Sequence, residues 1–287
     1  MLIQRILLPV DFPATSVSVF QQGVTLAERF QAELAMLHVS TPESIAAGVP
    51  ADDRSLANWN LLAEILQKAG DSIDQSLRTK LQRLVAGSLV VQGDPAKQIV
   101  HAAQVGNADL IMMSSHGETF GEFLLGSVTT KVLGRKECPI WTGAHTEDQS
   151  AKDFSIHNIL CAVDLGPHSQ AAASWAGQLA TEFGARLTLS NVTQSMAIFA
   201  PGGSWANPKW QQDLVEDASH RLAELQNNLG ISADLLVGSG DVPKVLSEMA
   251  SKIKADLLVL DCFPSSGNLR IHAYAIICAM STPVLSV

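Results

Sequence analysis

One stretch, SSHGETFGEFLLGSV at 114–128, gathers residue types that could hold an anion. Gly117 and Gly126 let a backbone approach a ligand closely, His116 offers a ring nitrogen, and Ser127 sets a hydroxyl at the head of an amphipathic run, VTTKVLGR. A helix starting there has first N–H groups without intrahelical partners and the positive end of a helix dipole, so a phosphate could bind without a lysine. The same residues also read as a loop entering a helix. Ser127 is an acceptable N-cap, and His116 can bond loop backbone.

The elements that must position these residues alternate. RILLPV (5–10), ELAMLHV (33–39), SLVVQG (88–93), ADLIMMS (108–114) and CPIWT (138–142) have the length and two-faced apolarity of buried parallel strands. Apolar residues at helical spacing fill Ser16 to Gln31, Ser55 to Val85 with a break near Gly70, Ala96 to Val105 and Ser127 to Arg135. Five strands alternating with four helices predict a doubly wound α/β sheet, with a ligand crevice at the carboxyl ends of the strands where the strand order reverses. Asp11, Val39 and Ser114 to Gly117 stand at three such ends. Asp11 reads either as a ligand contact or as a cap for the next helix.

The pattern occurs twice. Ile6-Leu7-Leu8-Pro9-Val10-Asp11 recurs as Ile159-Leu160-Cys161-Ala162-Val163-Asp164, an offset of 164 − 11 = 153 that persists to Val39/Val192. Gly93-Asp94 matches Gly240-Asp241 at 240 − 93 = 147, and Pro139 matches Pro283 at 283 − 139 = 144. Second-half strands are expected near 157–163, 185–192, 233–238, 255–261 and 283–287. The polar segment between the halves reads as a linker, giving domains 1–143 and 156–287 joined by 144–155. The second half loses the cradle: Gly126-Ser127 is replaced by Arg270-Ile271, leaving Arg270 and His272 as anion contacts or as solvated residues, and Asp164 as structural.

Composition narrows the classes. With 47 % of 287 residues apolar, the chain can bury a core in each half, and a net charge of −9 without a basic run excludes a nucleic-acid or anionic-membrane partner. No apolar run approaches the roughly 20 residues that span a bilayer, and MLIQRILLPVDF is no signal peptide, so the cytoplasm is the expected location. The four cysteines are scattered and read as small buried apolar residues, and the eight histidines form no metal motif. Met112-Met113 reads as core. Two irregular stretches, 41–59 and 193–210, are long enough to be functional. Their tryptophans Trp59, Trp205 and Trp210 would cover the crevice, stack on a base or anchor the loops.

On ILLPVDF, LHV, GDPAKQIV, ADLIMMSSHG and LLGSV with CPIW, the chain resembles the universal stress protein family in its tandem form. The resemblance implies two five-stranded parallel-sheet domains of the adenine-nucleotide alpha-hydrolase-like kind, packed as a pseudo-two-fold pair through edge strands ending near Trp141 and Val287. It further implies an ATP site in the first half. Asp11 with Pro9 and Val10 would contact adenosine, and the Val39 backbone the adenine edge. Met113, His116 and Gly117 would lie along the ribose and first phosphates, with Gly126, Ser127, Val128 and Thr129 on the β and γ phosphates. Nucleotide-binding members carry Gly-x2-Gly-x9-Gly-Ser/Thr. Here Ser114 takes the place of the first glycine, and Gly117 to Gly126 enclose eight residues rather than nine. With no lysine or arginine in 114–130, a bound triphosphate would bring Mg²⁺.

Three readings follow: a stress-response regulatory protein that binds an adenine nucleotide, a nucleotide-free scaffold whose loops hold a protein partner or small apolar ligand, and slow ATP hydrolysis at the same site. The third lacks a general base, nucleophile elbow or Walker lysine. Further oligomerisation stays open.

Overall fold

The computed structural model describes residues 3–10, 17–40, 67, 73–114, 125–135, 138–143, 154–193, 208–260 and 269–287. It divides into two compact units, Met1–Ser155 and Ile156–Val287.

In the first unit β1 (Arg5–Pro9), α1 (Val17–Phe30), β2 (Glu33–Ser40), α2 (Gln75–Leu84), β3 (Val85–Gln92), α3 (Pro95–Val105), β4 (Leu110–Met113), α4 (Ser127–Leu133) and β5 (Ile140–Thr142) follow one another. The strands pair in the order β3-β2-β1-β4-β5, all parallel. The order reverses between β1 and β4, as a doubly wound sheet requires.

Apolarity on both faces explains why these strands are buried. Leu7, Leu37, Ile111 and Met113 join Ile99, Val100 and Ala103 of α3 and Val132 of α4 in one cluster. Their neighbours Leu8 and Met112 face the other way, 3.5 Å and 3.6 Å from where a Cβ on Gly23 of α1 would lie. Alternate side chains thus enter different layers, and each fully buried leucine contributes roughly 1.5–3 kcal/mol. Trp141 on β5 is completely buried, donating its indole N–H to Gln22 Oε1 at 2.7 Å and meeting Phe154 edge-on.

The second unit repeats the plan with β6 (Asn158–Ala162), α5 (Ser169–Phe183), β7 (Arg186–Thr193), α6 (Pro208–Leu229), β8 (Asp234–Ser239), α7 (Val242–Ile253), β9 (Leu257–Leu260), α8 (Leu269–Ala279) and β10 (Val284–Ser286). Its order is β8-β7-β6-β9-β10, again parallel. The sequence offsets reappear as strand register. Ile6 opposes Leu34 and Leu110, while Ile159 opposes Leu187 and Leu257. Ile111 opposes Ile140 as Leu258 opposes Val284.

Matched polar contacts lock both copies. Asp109 Oδ2 accepts the Gln4 and Arg5 N–H groups, and Asp256 Oδ2 accepts those of His157 and Asn158. Asp94 and Asp241 cap α3 and α7 through the Lys97 and Lys244 N–H groups. Before these caps Gly93 and Gly240 sit at φ 141° and 138°, a backbone region that side chains disfavour.

One boundary differs from the sequence reading, and the expected break near Gly70 lies outside the described residues. Asp74 is extended and caps α2 through the Leu77 N–H. The third strand begins at Val85, not Ser88, directly after α2. Its extra residue is taken up by a register shift opposite Leu34 and Ala35. Trp210 also moves from loop to helix, since α6 already starts at Pro208, a residue suited to a first helical position. The residue is 55 % exposed there. No helix among the described residues is long and apolar enough to cross a membrane.

Candidate functional site

The carboxyl ends of β1, β2 and β4 lie side by side, because β1 is flanked by β2 on one side and β4 on the other. Pro9 ends β1 and Val10 follows, its N–H bonded to the Leu37 carbonyl at 2.8 Å. Val39 pairs with Val91 one residue before the end of β2. Ser114, half-buried, follows β4.

The first turn of α4 is tied to this edge. Thr129 is buried and its Oγ1 donates to the Ser114 carbonyl at 3.2 Å, so the helix start is held against the end of β4. Among the described residues, the first helical amide to bond a carbonyl is that of Thr130, which reaches Gly126 at 2.9 Å. The preceding N–H groups of Ser127, Val128 and Thr129 have no carbonyl behind them within the helix. Gly126 occupies the N-cap position and supplies no side-chain cap. By contrast α2, α3 and α7 each begin with an aspartate that fills that role.

Of the residues singled out from sequence, Pro9, Val10, Val39, Met113, Ser114, Gly126, Ser127, Val128 and Thr129 fall at this edge. Two behave differently from expectation. The Met113 side chain is core, packed with Leu37, Val132 and Ile140, because alternation along β4 sends it under α3 and α4 rather than outward. The Thr129 hydroxyl is committed to Ser114, leaving its backbone amide as the group able to face a ligand. Asp11, His116, Gly117, Trp59, Trp205 and the loop between Ser114 and Leu125 lie outside the described residues, as do the side chains of Arg270 and His272.

Sequence reasoning passed over one buried residue. His38 is 2 % exposed and its Nδ1 meets the Val10 carbonyl at 3.0 Å, bracing the ends of β1 and β2. Its counterpart at 38 + 153 = 191 is Asn191, whose Nδ2 donates to the Val163 carbonyl at 2.8 Å. The signal was a polar residue inside an apolar strand, at the same offset in both halves. Two residues along the same strand, the hydroxyl of Ser40 is buried without a partner among the described residues.

At the equivalent edge of the second unit, Asp164 is consumed by its own turn. Its Oδ1 accepts the Gly166 N–H at 2.7 Å and the Ser169 hydroxyl at 3.0 Å at the entrance to α5. Gln211 of α6 donates to Thr193 and Ser239, closing the ends of β7 and β8 with side-chain bonds.

No group of three or more His, Cys, Asp or Glu side chains able to hold a metal occurs among the described residues.

The model of the universal stress protein family matches residues 2–142 and again 155–271. A universal stress protein of Methanocaldococcus jannaschii is 29 % identical over 142 residues, which span 48 % of this chain and 81 % of that protein. The crystal structure of a universal stress protein from Archaeoglobus fulgidus is similar over 99 % of this chain and 97 % of its own, with a TM-score of 0.63 at 19 % identity. Another universal stress protein, solved in complex with cAMP, aligns with 46 % of this chain and 97 % of its own at 21 % identity and a TM-score of 0.33. With one family match in each of its two sheets, the chain belongs to the universal stress protein family as a tandem member.

Proposed function

We propose that the first unit is a regulatory module that binds ATP or a related adenine nucleotide across the carboxyl ends of β1, β2 and β4, in a stress response. The observation that carries this reading is the start of α4: a helix beginning on a glycine, whose first three amides have no intrahelical partner, braced against the end of the neighbouring strand by Thr129. Terminal amides of this kind hold phosphate oxygens without a cationic side chain. Gly126 leaves space where an aspartate cap would repel an anion, and Ser127 adds a hydroxyl.

In this reading Asp11, Pro9 and Val10 contact the nucleoside, the Val39 backbone meets the base edge, and Ser114, His116 and Gly117 follow the ribose and first phosphates. Met113 acts by supporting the end of β4 from beneath. Mg²⁺ offsets the phosphate charge in a chain that is already acidic. The second unit, with Asp164 bound up in its turn and Arg270-Ile271 in place of Gly-Ser, serves as a non-binding partner domain. In this reading the protein acts in the cytoplasm.

The test is a thermal titration with ATP and Mg²⁺. A ligand that binds only the folded state adds about 2.7 kcal/mol at one hundred times its dissociation constant. Gly126→Ala with Ser127→Ala abolishes the rise in melting temperature and leaves the unliganded fold in place, while Arg270→Ala keeps the rise. No rise at millimolar ATP would sink the proposal. It would turn attention to the scaffold reading, which one observation favours: Trp210 and Leu214, one turn apart on α6, are 55 % and 40 % exposed.

A further inference from the structure

A hollow of the first unit lies at the opposite end of the sheet from the proposed nucleotide edge. A pocket of about 270 Å³ runs under the carboxyl ends of α3 and α4 and over the amino ends of β4 and β5. Val100, Ala103, Ile111, Val132, Cys138 and Ile140 make its floor, each no more than 9 % exposed. Gln104, Asn107 and Arg135, all exposed, make its rim.

The walls specify what fits. An apolar cavity of about 150 Å³ accommodates benzene, so this volume has room for a substituted or fused ring. The floor's side chains are apolar apart from a thiol that already donates to the Ala108 carbonyl, while Asp109 and the rim residues make the walls polar. Charge is disfavoured from two directions. The Asp109 carboxylate, fixed by the Gln4 and Arg5 amides, and the carbonyl ends of two helices set a negative potential inside. Arg135 opposes a cation at the rim. The same interior keeps the Cys138 thiol protonated: burial foremost, then Asp109, push it up to about 12.

The second unit is built differently here. The counterparts of Arg135 and Cys138, at an offset of 144, are Ala279 and Thr282. The counterpart of Val100 is Ser247, whose hydroxyl donates to the Ala279 carbonyl at 3.3 Å and draws α7 and α8 together. The repeat conserves the fold on both sides, yet only the first unit has apolar Val100 in place of that helix-to-helix bond.

We infer that this pocket binds an uncharged, ring-sized aromatic molecule, of the indole or phenol class, with its ring on the Val100, Ile111, Val132 and Ile140 side chains and its polar atom at the Gln104 and Asn107 amides. The site is separate from the nucleotide edge and does not depend on it.

Indole is the probe. Millimolar indole raises the melting temperature of the full chain by at least about 2 °C. Methyl-resolved NMR of the same chain shows contacts from indole protons to the valine and isoleucine methyls of the pocket. Indole-3-carboxylate binds at least ten-fold more weakly. Ala103→Leu, which fills the floor, removes the contacts. If that variant is too unstable to study, Gln104→Trp at the exposed rim weakens binding at least ten-fold without touching the core. Absence of methyl contacts at millimolar indole, equal binding of the carboxylate, or contacts that survive both blocking variants would each overturn the assignment.

Discussion

The carboxyl-terminal edges of the two sheets begin from one plan and end in different chemistry. In the first unit Val10 and His38 brace the strands and α4 opens on an uncapped glycine. In the second, Asp164 turns back on its own loop and Gln211 ties β7 to β8. Apart from the shift opposite Leu34 and Ala35, the strands beneath keep the same register. Register is set by alternating apolar faces that a one-residue slip would turn outward, whereas loops and helix starts change without disturbing those faces. The chemistry of this edge can therefore differ between the copies while both keep folding, and the two units serve as controls for each other.

The sharpest way to break this equivalence is to remove a large side chain that only one unit has. Trp141 is replaced at the offset of 144 by Leu285. Trp141→Ala should destabilise the first unit by about 3–5 kcal/mol and leave the second nearly unchanged, as hydrogen exchange resolved by unit would reveal. Equal loss in both would mean that they unfold as one.

Next in size is an alkaline effect. In the unfolded chain Cys138 ionises near its ordinary value of 9, but in the folded chain only near 12. Between these values the unfolded state holds fewer protons, so stability falls as pH rises, by a few kcal/mol across the window. Cys138→Thr, which installs the second unit's Thr282 chemistry, should flatten that part of the curve in urea melts at pH 8 to 11. An unchanged slope would remove Cys138 as its cause.

Gln22→Leu isolates a single bond. It leaves the buried Trp141 indole N–H unreciprocated and should cost about 1–3 kcal/mol, more than the double change Gln22→Leu with Trp141→Phe would add beyond Trp141→Phe alone. An additive double mutant would show that the hydrogen bond carries none of the effect. The smallest expected change is favourable. Gln31 follows α1 at φ 54°, where its counterpart at 31 + 153 = 184 is Gly184 at φ 64°. Gln31→Gly should stabilise the first unit by about 0.5–1 kcal/mol in chemical denaturation, bringing it closer to the second. A loss would mean that the Gln31 side chain makes compensating contacts.

How much of this could be read beforehand depended on the kind of residue. Strands such as ILLPV and ILCAV announced themselves by apolarity on both faces, and the internal offsets of 153, 147 and 144 became strand register without change. The helix start at Asp74 was less legible. An aspartate reads as a cap only once its carboxylate is seen to meet an amide three residues on, as that of Asp74 meets Leu77. His38 was hidden for another reason: its partner is a backbone carbonyl 28 residues away, contributed by a neighbouring strand.

Chain chemistry alone settled the two-fold repeat, the parallel α/β class, the family and the position of Gly126-Ser127 at a helix start, because these rest on periodicity and on local backbone preference. The tertiary structure decided that the Thr129 hydroxyl is committed to Ser114, that Met113 lies under the sheet edge, and that Cys138 belongs to the apolar floor of a pocket beside Asp109. Those facts depend on residues far apart in the chain meeting at particular distances, and no local pattern encodes a distance.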